Sequence, residues 1–245
     1  MKLENTITEE VQLLAPLTID GESFNKIVIR ETKGFDEEYL SQPKFEKTPY
    51  LIVPELVSRC IVEVPGAKRL PTLREVRELP VAQVDDLAAR VNKLSTGGDL
   101  EVDSQCDSCG VKDKTELNLE ETFITDGDFA NKKIEFKRPV SVNNEEFSFA
   151  MVRPLLAVDQ DILGNAKLNT AEFMSAALTK VVVTLGDSYK PKKEEITGLP
   201  TFARKQLKDS IQDFPKYDIV VKRPCKKCNS GDQIGMVNII GFLSD

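Results

Sequence analysis

The chain contains no histidine. That absence removes Ser-His-Asp and Cys-His nucleophilic catalysis, and with them every zinc site that needs an imidazole ligand. No apolar run reaches the 18 residues a membrane-spanning helix needs. The opening "MKLENTITEEVQLLAPLTID" has no apolar stretch of the secretory kind, so the expected compartment is a reducing cytoplasm. Tryptophan is absent, and aromatic residues make up 7% of the chain. The basic pairs Lys132-Lys133, Lys192-Lys193 and Lys226-Lys227 therefore lack the interleaved rings that a nucleic-acid surface uses. No P-loop, GxGxxG or GxSxG pattern occurs. The adjacent glycines of "STGGDLE" follow a helical pattern, which suits a C-cap and not a phosphate loop.

What remains is a 245-residue chain with 40% hydrophobic and 30% charged residues, the balance of a soluble globular protein. The net charge of −7 opposes general binding to phosphate backbones. Its distribution is uneven. Residues 1–123 hold 24 acidic and 15 basic residues, a net −9, and the remainder holds 16 and 18, a net +2. Such asymmetry can align two halves or two partners, or can be scatter over a solvated surface. The acidic pairs Glu37-Glu38, Asp85-Asp86 and Glu145-Glu146 read as charged faces.

Four of the five cysteines fall in two Cys-x-x-Cys pairs, Cys106/Cys109 and Cys225/Cys228. The text around them is written twice. "LTIDGESFNKIVIRETKGFDEEYLS" from Leu17 parallels "VSVNNEEFSFAMVRPLLAVDQDILG" from Val140. Each predicts a β-hairpin with a tight turn, at Asp20-Gly21 or Asn143-Asn144. Arg30 matches Arg153, and an acidic helical start follows each, at Asp36 and Asp159. "PELVSRCIVEV" from Pro54 then parallels "AEFMSAALTKVVV" from Ala171, each a short helix running into a strand. "LPVAQVDDLAARVNKLS" from Leu79 parallels "LPTFARKQLKDSIQDF" from Leu199, each an amphipathic helix beginning after Leu-Pro. Strands at Asp99 and Tyr217 lead to the two cysteine pairs. The expected fold class is α+β: a tandem duplication of a hairpin-plus-helices module, with copies at 1–125 and 126–245 joined by their knuckles. "ITDGDFANKK" is the expected linker, and "GDSYKPKKEEITG" from Gly186 an expected surface loop.

Paired CxxC turns can supply four thiolates to one tetrahedral ion. The residue after each second cysteine, Gly110 or Asn229, tolerates the left-handed conformation such a turn needs. The separation from Cys109 to Cys225 is long, but closing so large a loop costs only about 4.7 kcal/mol. Structural zinc supplies about 10–16 kcal/mol. Lys222, Arg223, Lys226 and Lys227 lie near enough in sequence to offset four thiolates. Cys106, Cys109, Cys225 and Cys228 are thus the expected ligands of a structural zinc ion. A metal shared between chains and reversible disulfides within each pair remain open. Thioredoxin-like chemistry is disfavoured, because neither pair opens a helix. Cys60 sits in an apolar run and reads as a small core residue.

The helix, Gly98-Asp99, strand and Cys106-x-x-Cys109-Gly110 knuckle, with a strand ending in Leu119, resemble the signature of the T-even type bacteriophage baseplate protein family. That family includes baseplate hub and hub-assembly proteins of contractile tails and related injection systems. The hairpin from Leu17 is similar to the opening of tail assembly chaperones. In the second half Asp218, Cys225 and Cys228 fit the same signature. Asp107 stands where the family usually has proline, Asn229 where it has glycine, and Pro224 precedes its cysteine. The resemblance implies a non-enzymatic structural or assembly protein that binds other hub, baseplate or tube proteins. It would be found in the host cytoplasm during assembly and in the virion tail if retained. The alternative from another class is a cytosolic zinc-ribbon regulator that binds nucleic acid.

Overall fold

The computed structural model describes residues 6–97, 99–118, 124, 127–162, 170–217, 220–229 and 231–236. Helices and strands are mixed, as expected of an α+β chain. Among the described residues no helix is long and apolar enough to cross a membrane.

The first half opens with a hairpin of β1 (Thr8–Ile19) and β2 (Glu22–Arg30). Asp20 (φ 52°) and Gly21 (φ 83°) both take positive φ, the conformation that a two-residue turn with the right strand twist requires. Helices α1 (Gly34–Leu40) and α2 (Pro43–Glu46) lead into α3 (Ile52–Cys60), which runs directly into β3 (Ile61–Glu63). The sheet order is β1-β2-β3. A short α4 (Leu73–Val76) precedes the long α5 (Val81–Thr96), capped by Gly97 at φ 85°. Leu17, Ile27, Leu56 and Leu87, all fully buried, join sheet, α3 and α5 into one core.

The second half follows the same order. Strands β6 (Lys132–Val142) and β7 (Glu145–Val152) form a hairpin whose turn residues Asn143 and Asn144 also have positive φ. Helix α6 (Thr170–Val181) runs into β8 (Val182–Leu185), and the sheet order is β6-β7-β8. Helices α7 (Lys193–Gly198) and α8 (Thr201–Gln212) close a second core around Ala150, Leu178, Leu185 and Leu207. The segment from Gly186 is therefore not all loop. The Glu195 carboxylate accepts from the Lys192 amide at 2.7 Å to start α7, and Ile196 is fully buried beneath it. Burial of that one apolar side chain is what turns the polar stretch into a helix.

The paired motifs are stabilised in parallel ways. Arg30 donates to both oxygens of Asp36 at 2.7 and 3.2 Å, and Arg153 to both oxygens of Asp159 at 2.7 and 3.0 Å. Asp36 and Asp159 are buried, so their role is ion pairing and not merely a helix dipole. Asp159 lies in the first turn of a two-turn 3₁₀ segment, Ala157–Ile162, in place of the expected helix. Arg59 adds a third bond to Asp36 at 2.9 Å. Both hairpins carry a bulge, between Gln12 and Leu17 and between Glu135 and Val140. A helix glutamine meets each. Gln83 of α5 accepts from the Leu14 and Ala15 amides at 3.1 and 2.8 Å. Gln206 of α8 accepts from the Lys137 amide at 3.2 Å and donates to the Glu135 carbonyl at 3.0 Å.

The halves touch where the stretch before α5 meets the one after β7. The Val81 amide donates to Leu155 at 3.0 Å, and the Ala157 amide to Leu79 at 2.9 Å. Ala157 and Tyr217, from the second half, are buried in the first core. Asp85 departs from the charged-face expectation here. It lines a cleft at this junction, and desolvation pushes its carboxyl up to about 7.

Two measurements follow from these buried charges. Asp36→Ala leaves Arg30 and Arg59 without their shared anion and is expected to lose about 3–5 kcal/mol in urea unfolding. Asp85 behaves oppositely. Its folded pKa lies above the unfolded one, so its ionisation penalises the fold increasingly as pH rises from about 4 to about 7. Asp85→Asn is therefore expected to stabilise by up to about 4 kcal/mol at pH 8 and by nothing measurable at pH 3.5, read from denaturant midpoints at both pH values.

Candidate metal centre

The third sheet joins the halves. Strands β4 (Asp99–Cys106) and β5 (Lys112–Asn118) flank the first cysteine pair, and β9 (Val220–Pro224) and β10 (Asp232–Met236) flank the second. Their order is β5-β4-β10-β9, so strands from opposite halves sit side by side at its centre. The β4–β10 register sets Cys106 against Gln233, Gln105 against Ile234 and Ser104 against Gly235.

Each cysteine pair lies in the turn between two antiparallel strands. In the first knuckle the Gly110 amide donates back to the Cys106 carbonyl at 3.0 Å, and the Cys106 amide to Val111 at 2.9 Å. In the second the Asn229 amide donates to the Cys225 carbonyl at 3.0 Å, and the Cys225 amide to Gly231 at 2.8 Å. Gly110 (φ 67°) and Asn229 (φ 54°) take the left-handed conformation expected of them. This curl turns both sulfurs of a pair to one side.

The four thiols converge. All four Sγ atoms lie within 4.8 Å of one another. The Cys106 and Cys228 sulfurs are 3.7 Å apart, and those of Cys109 and Cys225 3.8 Å apart. Sulfurs placed tetrahedrally about 2.3 Å from a central ion are about 3.8 Å from each other, so these two edges fit such an ion. A disulfide, at about 2.05 Å, is not formed by any of the five cysteines. Cys106 and Cys225 are buried, while Cys109 is exposed. The backbone N–H of Val111 favours a Cys109 thiolate. Desolvation and hydrogen bonds shared with the Cys106, Cys228 and Cys225 sulfurs outweigh it and push the thiol up to about 11. A bound cation is what would release that proton. The donor set could hold a metal ion.

Close approach of the knuckles uses residues that the cysteine spacing alone does not reveal. The Asp107 amide donates to the Asp232 carbonyl at 3.0 Å, and the Asp232 amide to Asp107 Oδ1 at 3.0 Å. Proline at position 107, usual in the knuckle this sequence resembles, could not donate that first bond. At Gly231 an added Cβ would stand 2.2 Å from Ser108 Oγ and 2.4 Å from Asp107 Oδ1. The signal available in the sequence is a glycine three residues beyond Cys228, but its contact is with a residue more than a hundred positions away. Of the resembling positions, Gly98, Leu119 and Asp218 lie outside the described residues, while Asp99 opens β4. Cys60 is fully buried in the first core, and burial pushes its thiol up to about 12, as a core residue requires.

Gly231→Ala is expected to weaken the knuckle contact and lower the urea midpoint by the equivalent of about 1–3 kcal/mol. Adding Ser108→Gly should restore part of that loss. Strictly additive effects in the double-mutant cycle would argue against direct contact.

A family model described as T4 bacteriophage base plate protein matches residues 22–243. No curated protein and no solved structure matches the chain.

Proposed function

The chain belongs to the family of T4 bacteriophage base plate proteins, and from that premise we propose that it is a non-enzymatic structural or assembly component of the hub region of a contractile tail. It acts by binding other baseplate, hub or tube proteins, in the host cytoplasm during assembly and in the virion tail where it is retained. The observation that carries the reading is the family match over most of the chain, together with a four-thiol cluster of structural type. Structural zinc sites close all four positions with protein ligands and leave none for substrate.

In this reading Cys106, Cys109, Cys225 and Cys228 bind one zinc ion within one chain. The donor chemistry favours zinc, because four thiolates in tetrahedral array suit zinc or an iron–sulfur centre, and a single ion fits the sulfur spacing. The ion staples two copies of a duplicated module, 1–125 and 126–245. Three parallels support the duplication: matching sheet orders β1-β2-β3 and β6-β7-β8, matching Arg–Asp clamps, and matching bulged hairpins.

Elemental analysis of the purified chain is expected to find about one zinc per protein. Removal by a chelator should lower the thermal midpoint, and re-addition of zinc should restore it. A metal content near zero with intact thiols would overturn the staple. Pull-down of tail particles with a tagged chain tests the assembly role separately. A chain absent from both mature particles and assembly intermediates would overturn it. Tight, salt-dependent binding to DNA would favour the nucleic-acid regulator instead.

A further inference from the structure

The junction between the halves holds a cleft of about 270 Å³. Its walls come from the start of α5, from Pro154 and Leu155 after β7, and from the segment following α8. They are largely apolar and aromatic: Val81, Phe129, Leu155, Phe214 and Tyr217. A drug-sized ligand needs about 300–1,000 Å³, so this space suits a single long side chain.

One carboxylate interrupts the apolar lining. Asp85 lies on α5, and among the described residues no hydrogen bond or ion pair reaches it. Lys216 also lines the cleft but does not pair with it. The neighbouring Asp86, by contrast, is bonded to Arg90 at 2.9 Å. A desolvated, unpartnered carboxylate costs free energy that a cation with hydrogen-bond donors would offset. We propose that this cleft seats an arginine side chain presented by a neighbouring protein of the assembly, with Asp85 receiving the guanidinium. The apolar walls cover the three-carbon stem. The planar fork bonds both carboxylate oxygens, and its faces lie against aromatic rings, an arrangement an ammonium cannot match. The acidic excess of residues 1–123, net −9, draws a basic partner to this half.

The site goes beyond the assembly reading and draws on it only for the source of the arginine, so the test uses the isolated chain. The probe is n-propylguanidinium, followed by NMR shifts of the Val81, Ala82 and Leu155 amides. The comparison probes are n-butylammonium and n-butanol. Saturable binding is expected, weakened about tenfold or more in Asp85→Asn, with n-butanol indifferent to the substitution. Equal binding of n-propylguanidinium to both proteins would overturn the proposal. So would no saturable shift, or tighter binding of n-butanol. Tighter binding of n-butylammonium would overturn the choice of arginine. If n-propylguanidinium binds as expected but the chain never enters tail particles, the assembly reading falls and the cleft stands.

Discussion

Among the described residues the pairing of β4 with β10 covers three residue pairs, and it brings the two cysteine knuckles, more than a hundred residues apart, within reach of one point. Neither knuckle supplies more than two sulfurs, and a tetrahedral site needs four. Each half contributes a hairpin of its own, turned by a left-handed residue after the second cysteine, and the two hairpins share one sheet. The Asp107–Asp232 exchange and the bare Cα of Gly231 let the turns meet without a gap. Loop-closure entropy opposes this meeting only logarithmically, so the length between the knuckles is a small obstacle once both halves have folded.

The two halves also show how similar frames come to differ. In both, a buried aspartate accepts an arginine from the end of the second hairpin strand. In the first half Arg59 adds a further bond, and Cys60 follows it into the core. In the second half Phe173, Met174 and Ala177 line a small cleft beside Asp159. The shared ion pair keeps the chain's path after the hairpin in both halves.

Much of this was legible in the residues because it is local. Asp20-Gly21 and Asn143-Asn144 dictate tight turns, Leu-Pro marks the starts of α5 and α8, and Gly110 and Asn229 mark the knuckles. The convergence of the four thiols was legible from spacing and repetition together. What escaped were partnerships. Nothing near Gln83 in sequence says that it will receive the Leu14 and Ala15 amides. Helices α4 and α7 escaped because they are short and each buries a single apolar residue, Val76 or Ile196. A weak signal was present, since Glu75-Val76 and Glu195-Ile196 stand at the same distance before their Leu-Pro. Asp85 escaped because an acid on a helix's polar face reads as solvated, and only the approach of the second half places it in a cleft.

The glutamines that meet the bulges have a bearing on life in a crowded particle. Among the described residues, strands β1 and β6 are the outer strands of their sheets, with no neighbour on one flank in the sheet order. A long, regular outer strand is a template on which stray chains can stack. Here the regular spacing is broken in the middle of each, and the amides freed by the break are already taken by Gln83 or Gln206. A protein whose neighbours are held at high local concentration gains from this, because polymerisation along the strand is interrupted before it can propagate.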